Sequence, residues 1–303
     1  MIKNLVLSGG EYKGLAYVGV LKYLEDTNIL AGIENIMGVS IGAVFALYFS
    51  LGFTSDQLKQ IVLAMKIENL REGDYSNYLE IFNTYGLDSG SNIVKFFKIS
   101  IKKKLGNENA TFSDFHVKYP KLNLILTGTD LNNEITQYYS YKDSPNMEIW
   151  EAVRISASFP IYFNSVIKND KHLIDGGVIN NYPIDYFKDD LEHTIGILVK
   201  NYKKNNEIII DSFEKYLFKI INCMINSFQN YIEKQYSNNT IILEVNYNIF
   251  DFNFSNEVKE ELIGDGYTQF KEKYEKLNKK LEIPNEIPSV IDTTISEIII
   301  NEN

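Results

Sequence analysis

The sequence predicts an α/β fold in which a mainly parallel sheet lies between two layers of helices. Two units at the N-terminus predict it. Residues 2–7 are apolar and rich in strand formers, end at a Ser-Gly-Gly turn and precede a helical pattern from Gly14. A second short apolar run ends at Gly38 and precedes an apolar helix after Ser40. Successive strand–turn–helix units form parallel sheets that helices cover on both faces.

Later segments extend the same architecture. Residues 122–129 and 134–140 have strand patterns and are joined by two asparagines, which predicts a hairpin. Residues 54–105 are predicted to be mainly helical, with loops around Gly73 and residues 88–91. Further predicted elements are a helix over 150–156, strands at 173–175 and 194–200, a long amphipathic helix over 207–235, a strand over 240–245 and a charged helix over 257–281 that is interrupted near Gly264 and Gly266.

The domain organisation is predicted to be simple. No repeat and no low-complexity linker divides the sequence. We expect one domain over residues 1–303, with a core at about 2–200 and a C-terminal helical extension with a late strand over about 201–303. We expect the apolar stripe of the 207–235 helix to pack in the core, and residues after Pro284 to form an extended tail.

Composition excludes several classes of function. The 303 residues carry a formal net charge of −10, which argues against a nucleic-acid binder because such a protein needs a basic surface. Cys223 is the single cysteine, so no intrachain disulfide can form and a reducing compartment is favoured. The longest apolar stretch, residues 40–53, falls short of the ~20 residues that span a bilayer. We expect a cytoplasmic protein, either free or peripheral at membranes.

The first candidate motif is a G-x-S-x-G over residues 38–42, between a short strand and an apolar helix. Gly38 and Gly42 leave room for the strained turn of a nucleophile elbow, where bulky neighbours would clash. The helix N-terminus also favours the negative charge that develops when Ser40 attacks a carbonyl group. The motif alone is common by chance, and its position between strand and helix strengthens it.

The second candidate motif is the S-G-G-E-Y-K-G run over residues 8–14, again between strand and helix. Its glycines leave backbone N–H groups free to point at an anion, as in an oxyanion hole or a phosphate loop. A turn that only packs helix on strand is the alternative. The run has no Walker pattern, and a dinucleotide fingerprint would have glycine where Glu11 stands. A nucleotide-binding domain is therefore the last of the alternatives.

The third candidate motif is Asp175-Gly176-Gly177, at the end of a predicted strand. A carboxylate at a strand end, followed by two glycines, is a plausible general base in a crevice. Taken alone, it is more often a turn aspartate. Its weight comes from the other two motifs.

Together the three motifs resemble the patatin-like phospholipase family in their order and spacing. Residues 156–160, Ser-Ala-Ser-Phe-Pro, match the A-S-x-x-P segment that precedes the aspartate of that family. The resemblance covers about residues 2–200, and more loosely 252–266. It implies a three-layer α/β/α patatin-like fold.

The resemblance also implies an activity, that of a lipid acyl hydrolase of the phospholipase A or lysophospholipase type. Ser40 would be the nucleophile and Asp175 its base, in a dyad without histidine that forms an acyl-enzyme. Backbone amides would form the oxyanion hole, and other motif residues would support the site: Gly9, Gly10 and Glu11 for the hole, and Lys13, Gly14, Gly38, Gly42, Gly176 and Gly177 for support. The implied partners are a phospholipid or other lipid ester and a peripheral membrane surface. We expect no cofactor, no metal and no nucleic acid, and a protein activator stays unknown.

One position departs from the family pattern. Glu11 stands where the family usually has a third glycine. A carboxylate facing the oxyanion would oppose its charge, so we expect the Glu11 side chain to point to solvent. Lys13 stands where the family has Arg or Lys. A functional role for Lys13 and a solvated cation at a helix start are both open.

Two alternative functions stay open. The chain could be an α/β-hydrolase esterase with a Ser-Asp-His triad, since His193 follows Asp175 in the order such a triad requires. It could also be a weakly active lipid-binding protein of the same fold, because Glu11 departs from the pattern.

A basic amphipathic helix is predicted over residues 91–105, where apolar residues alternate with lysines. Such a helix can lie in a lipid interface. More often it packs on the core and leaves its lysines in water, so both interpretations stay open.

Overall fold

The computed structural model describes residues 1–66, 81–201, 209–245 and 255–282. Its strands are β1 (Asn4–Leu7), β2 (Asn35–Gly38), β3 (Gly86–Asp88), β4 (Asn123–Asp130), β5 (Ile135–Tyr139), β6 (Ile161–Phe163), β7 (Val166–Lys168), β8 (Lys171–Asp175), β9 (Thr194–Asn201) and β10 (Thr240–Val245). Its helices are α1 (Ala16–Asp26), α2 (Ile41–Ser50), α3 (Ser55–Ala64), α4 (Ile81–Thr84), α5 (Ser91–Leu105), α6 (Phe112–Lys118), α7 (Ile149–Ser156), α8 (Gly177–Asn180), α9 (Phe213–Gln235) and α10 (Asn256–Glu282). The predicted loop around Gly73 and the predicted tail after Pro284 lie outside the described residues.

The central sheet has the strand order β10-β9-β1-β2-β4-β8-β7, and β5 also pairs with β4. Strands β10, β9, β1, β2 and β4 are mutually parallel, whereas β5 and β8 are antiparallel to β4. One face of the sheet packs on a large apolar cluster that includes α1 and α2, and the other face packs on a smaller cluster that includes Tyr182 and Ile232. The α/β fold with a mainly parallel sheet is as the sequence predicts.

Strand registers place the ends of β2 and β8 side by side. Leu126 of β4 pairs with both Gly38 and Tyr139, so β2 and β5 lie on opposite edges of β4. Because β5 and β8 both pair with residues 128–130, β8 must lie on the same edge as β2, just beyond its end. Asp175 pairs with Gly128, two residues past Leu126, and Ser40 lies two residues past Gly38. The topology therefore brings Ser40 and Asp175 to one level of the sheet.

Helix α10 is continuous, and the predicted interruption near Gly264 and Gly266 is wrong. The reason is its packing against α1. A Cβ on Gly266 would lie 2.1 Å from the Ala16 carbonyl oxygen, and a Cβ on Gly19 would lie 2.0 Å from that of Ile263. Gly266 thus permits a close approach of two helices, and tertiary packing offsets the low helix propensity of glycine.

Helix α9 also differs from the prediction. The expectation that its apolar stripe packs in the core is wrong, because Phe213, Met224 and Tyr231 are more than half exposed. Only a few inward residues, among them Ile225 and Ile232, are buried.

Helix α5 is an ordinary core-packing helix. Phe97 and Ile101 are buried, while Lys102 pairs with Glu108 in solvent. The structure therefore supports the interpretation in which this helix packs on the core and leaves its lysines in water.

Candidate active site

Ser40 occupies a strained turn between β2 and α2. Its backbone has φ 56° and ψ −127°, an unfavourable conformation for a residue with a side chain that costs on the order of 1–3 kcal/mol. The turn has no room for side chains at its two glycines. A Cβ on Gly38 would lie 2.2 Å from the Gly42 carbonyl oxygen, and a Cβ on Gly42 would lie 2.4 Å from the Leu7 carbonyl oxygen. This is the geometry that the G-x-S-x-G spacing predicts for an elbow, with the serine at the start of a helix.

Asp175 ends β8 and is 1% exposed. Its Oδ1 accepts a hydrogen bond of 2.7 Å from the Gly177 N–H. Its Oδ2 is buried and has no aligned hydrogen-bond donor among the described residues. Burial raises the pKa of this carboxyl group to about 7, against the opposing effects of the Ser40 hydroxyl and the Gly177 N–H, which favour the charged form. The Ser40 hydroxyl thus lies beside the Asp175 carboxyl group.

The C-terminal end of α7 and the residues that follow it hold both Ser40 and Asp175 in place. Ser156 Oγ accepts a hydrogen bond of 3.0 Å from the Ser40 N–H, and the Ser158 carbonyl accepts one of 3.0 Å from the Asp175 N–H. Ser158 is fixed in turn by the buried Arg154 guanidinium, which also donates to the Ser89 carbonyl. From the sequence alone, residues 156–160 are recognisable only as part of the family pattern. Their bracing role depends on contacts 116 residues apart along the chain.

The glycine turn after β1 lies beside Ser40. A Cβ on Gly9 would lie 3.1 Å from Ser40 Cβ and 2.0 Å from Asn181 Oδ1, and a Cβ on Gly10 would lie 2.2 Å from a methyl carbon of Val199. Side chains at these two positions would therefore clash.

The amides of this turn are not equivalent. The Gly9 N–H donates to the Asn181 carbonyl at 3.0 Å, so it is already used. The Gly10 and Glu11 N–H groups donate no hydrogen bond within the described part of the chain. Glu11 keeps its amide in this position with a φ of 49°, at a cost of about 1–2 kcal/mol for a residue with a Cβ. Gly10 and Glu11 are thus the donors that remain available to an oxyanion.

Glu11 and Lys13 form an ion pair at the edge of the site. The Lys13 ammonium lies 2.5 Å from Glu11 Oε2, and their side chains are 9% and 28% exposed respectively. The expectation that the Glu11 side chain points to solvent is wrong, since it faces Lys13 and its charge contributes to the raised pKa of Asp175. Lys13 is likewise not a solvated cation.

The remaining motif glycines permit close packing around the turns. A Cβ on Gly14 would lie 2.5 Å from a side-chain carbon of Ile41. One on Gly176 would lie 2.4 Å from Thr127 Oγ1, and one on Gly177 would lie 3.0 Å from Asp175 Oδ1. Each of these glycines therefore supports the position of the elbow or of the carboxylate.

A cavity of about 540 Å³ opens onto Ser40 and Asp175. One wall is the inner face of α9, where amide side chains dominate. Gln229 accepts a hydrogen bond of 2.6 Å from Asn181, and Lys200 at the cavity edge pairs with Glu233. Among the residues that the structure describes, the apolar lining is limited to Phe159, Val199 and Ile225. The sequence alone did not reveal this polar wall, because the apolar stripe of α9 predicts that the helix packs in the core.

A sequence model of the patatin-like phospholipase family matches residues 5–188, more than half of the chain. The chain belongs to this family. The matched range contains the elbow, the glycine turn and the Asp175 motif, so membership rests on the same residues that form the site.

Several relatives of this patatin-like chain are known. An uncharacterized protein of Acanthamoeba polyphaga mimivirus is 31% identical over 268 residues, which cover 86% of this chain and 89% of that protein. The "Probable lipid hydrolase 463L" of Invertebrate iridescent virus 6 is 29% identical, covering 68% of this chain and 66% of its own length. The lysophospholipase nte1 of Aspergillus fumigatus is 27% identical over 61% of this chain but only 11% of its own length.

Structural similarity supports the patatin-like fold. The crystal structure of VipD from Legionella pneumophila matches with a TM-score of 0.62 at 16% identity, covering 91% of this chain and 67% of that one.

In this patatin-like fold the histidines lie away from Ser40. His193 bonds Asp190 at 2.6 Å and directly precedes Thr194, which pairs with Asn4 at the amino end of β1. Ser40 lies beyond the other end of that strand, where Leu7 pairs with Gly38. His172 bonds Ser165, and His116 stacks on Tyr141. The geometry therefore contradicts a triad through His193.

The residues that the structure describes contain neither a cluster of metal-ligating side chains nor a membrane-spanning helix. Within them, no group of three or more His, Cys, Asp or Glu residues is placed to hold a metal ion. No helix in that part of the chain is long and apolar enough to cross a bilayer.

Proposed function

We propose that this patatin-like chain hydrolyses carboxylic esters of membrane lipids, with Ser40 as nucleophile and Asp175 as base. One observation carries the proposal: the hydroxyl of a serine in a strained elbow lies beside a buried carboxyl group whose Oδ2 has no aligned donor. An ordinary aspartate is a weak base for a hydroxyl group. Burial raises the pKa of Asp175 to about 7, which makes it a stronger base near neutral pH.

In the first half of the reaction, Asp175 accepts the Ser40 proton as Oγ attacks the ester carbonyl. The oxyanion of the tetrahedral intermediate accepts hydrogen bonds from the Gly10 and Glu11 N–H groups. The C–O bond then breaks, and the proton on Asp175 passes to the departing alcohol. In the second half, Asp175 takes a proton from water as the water oxygen attacks the acyl-enzyme. The bond between the acyl carbon and Ser40 Oγ then breaks, the proton on Asp175 returns to Oγ, and the fatty acid leaves.

The Glu11–Lys13 pair allows a carboxylate to lie next to this site. An isolated negative charge there would oppose the oxyanion. Because the Lys13 ammonium lies 2.5 Å from Glu11 Oε2, the pair is close to neutral as a whole. The Glu11 N–H can thereby serve as a donor of the oxyanion hole, while the Glu11 side chain adds no net charge beside it.

The relatives and the lining of the cavity both bear on the class of substrate. Those with named activities are a lipid hydrolase and a lysophospholipase. The cavity wall of amides and lysines suits a polar headgroup. We therefore place phospholipids and lysophospholipids ahead of neutral glycerides as substrates, presented at a membrane surface.

Acyl release from a panel of phospholipids, lysophospholipids and neutral glycerides tests the proposal. Wild type is expected to release fatty acid, and Ser40→Ala and Asp175→Asn are expected to lower the rate by about 10³-fold or more. Ser237→Ala and Asp189→Asn, at exposed positions, are the matched controls and should retain activity. Fatty-acid release by Ser40→Ala at the wild-type rate would refute the proposal. Binding without hydrolysis by wild type would favour a lipid-binding protein instead.

A further inference from the structure

The outward face of α9 carries an apolar stripe that no described residue covers. Its members are 40–74% exposed: Phe213, Tyr216, Ile220, Met224, Phe228 and Tyr231. Successive members are three or four residues apart, so they form one continuous line along the helix. A helix of 23 residues is about 34 Å long. Exposed apolar surfaces of this extent mark contact sites for proteins or lipids.

Charge is missing from the same part of α9. Residues 220–232 contain no Asp, Glu, Lys or Arg, although a helix face in water normally carries them. Lys219 directly precedes this uncharged run, and Glu233, which pairs with Lys200, and Lys234 follow it. Lys219, Glu233 and Lys234 all line the cavity. A long apolar stripe that is uncharged over most of its length and has lysines beside it matches a lipid interface, where the stripe meets acyl chains and the lysines meet phosphates.

The other face of α9 forms a wall of the cavity that holds Ser40 and Asp175. Lys219 and Lys234 line this cavity, and each lies three residues after a member of the stripe, Tyr216 and Tyr231 respectively. Residues three apart are neighbours on a helix surface, so the stripe borders the cavity. A protein surface that covered the stripe would also crowd the opening of this cavity. A lipid layer would instead bring ester substrate to it.

We propose that the outward stripe of α9 docks the protein on a lipid–water interface and so places the mouth of the cavity at the lipid surface. The role of this docking in delivering substrate rests on the proposed function, but the docking itself can be measured without catalysis. We thus assign membrane contact to α9 and not to α5, the helix whose basic amphipathic sequence suggested such contact.

The chain offers its own probe for the test. Cys223 is the single cysteine, it is exposed, and it lies on α9 next to Met224. An environment-sensitive fluorophore on Cys223 of the Ser40→Ala variant should shift to the blue when phosphatidylcholine vesicles are added, and the protein should sediment with them. A fluorophore on a Cys223→Ser/Val117→Cys variant is the control, because Val117 is 83% exposed on α6. That label should not shift.

A second arm removes the apolar contact. In the Ser40→Ala background, Met224→Gln/Phe228→Gln should weaken vesicle binding by about tenfold or more, since each substitution removes apolar surface that the lipid layer would bury. Ile99→Gln/Val117→Gln changes exposed apolar residues of α5 and α6 and should leave binding unchanged. Circular dichroism of all variants checks that they fold.

Four outcomes would overturn the docking proposal. The first is that vesicles cause neither a fluorescence shift nor sedimentation, and the second is that both double variants lose vesicle binding equally. The third is a blue shift without vesicles that appears only at higher protein concentration, which would report contact with a second copy. The fourth is a label that is already blue-shifted at every protein concentration without vesicles, which would mean that the protein itself covers the stripe. Hydrolysis of a water-soluble short-chain ester by wild type is assayed separately. If that activity is absent while vesicle binding depends on α9, the proposed function fails and the docking surface stands.

Discussion

Helices α9 and α10 are both long and amphipathic, yet they face the protein in opposite ways. Helix α10 buries Leu262, Phe270 and Tyr274 against α1, and its exposed face is charged. Helix α9 turns its amides toward the cavity and its apolar stripe outward. Thirteen of the 27 residues of α10 are charged, against five of 23 in α9. Apolar periodicity therefore shows that a helix has two faces, and the charge of the other face helps to show which one lies in water.

The same residue type in the two helices gives the largest contrast. Phe270 is fully buried, with its ring 5.5 Å from that of Tyr23, whereas Phe228 is 41% exposed. We expect Phe270→Ala to lower the free energy of unfolding by about 3–5 kcal/mol, and Phe228→Ala by less than about 1 kcal/mol. Urea denaturation without lipid measures both. A loss for Phe228→Ala as large as that for Phe270→Ala would mean that α9 is packed in solution.

Asp175, in the cavity that α9 lines, should make the free energy of unfolding depend on pH in a way that the exposed carboxyl groups of α10 do not. Because the pKa of Asp175 rises from 3.8 to about 7 on folding, the folded chain holds this proton more tightly, and the free energy of unfolding falls as pH rises from about 4 to 7. Asp175→Asn should remove this dependence and stabilise the protein by about 2–4 kcal/mol at about pH 8, with little effect at about pH 4.

Denaturation of Asp175→Asn at both pH values is the measurement, with Glu272→Gln on the exposed face of α10 as the matched control. Equal effects of Asp175→Asn at the two pH values would contradict a desolvated carboxyl group at this position.

The two glycines of α10 give the smallest contrast, within a single helix. A Cβ on Gly266 would lie 2.1 Å from the Ala16 oxygen, whereas nothing lies within 4 Å of one on Gly264. We expect Gly266→Ala to destabilise by about 1–3 kcal/mol through overpacking, and Gly264→Ala to stabilise by up to about 1 kcal/mol through helix propensity. Thermal unfolding of the pair measures the difference. Equal midpoints would show that α1 and α10 are not in close contact.

Local sequence signals predicted much of the fold. The units around Gly9 and Ser40, the hairpin of β4 and β5, and strand β10 were all predicted, because turn residues and apolar periodicity are encoded within a few neighbouring positions. Ser40 and Asp175 could be proposed for the same reason, since each lies in a glycine-bounded turn.

What the sequence did not predict depends on distant contacts. The Gly9 amide is used by Asn181, and the Ser40 amide by Ser156. The direction of the Glu11 side chain depends on the buried position of Lys13. The apolar stripe of α9 faces outward because the opposite face of the helix lines the cavity. No local pattern contains this information, because each case is decided by residues that meet only after the sheet has formed.

The rate at which a fluorophosphonate labels Ser40, measured against pH, tests the central claim most directly. If Asp175 activates Ser40, labelling in wild type rises about tenfold per pH unit below the carboxyl pKa of about 7 and levels off above it. Asp175→Asn should label at least about 10²-fold more slowly and without this rise. Labelling of Ser40 at the same rate and with the same pH dependence in Asp175→Asn would contradict the account.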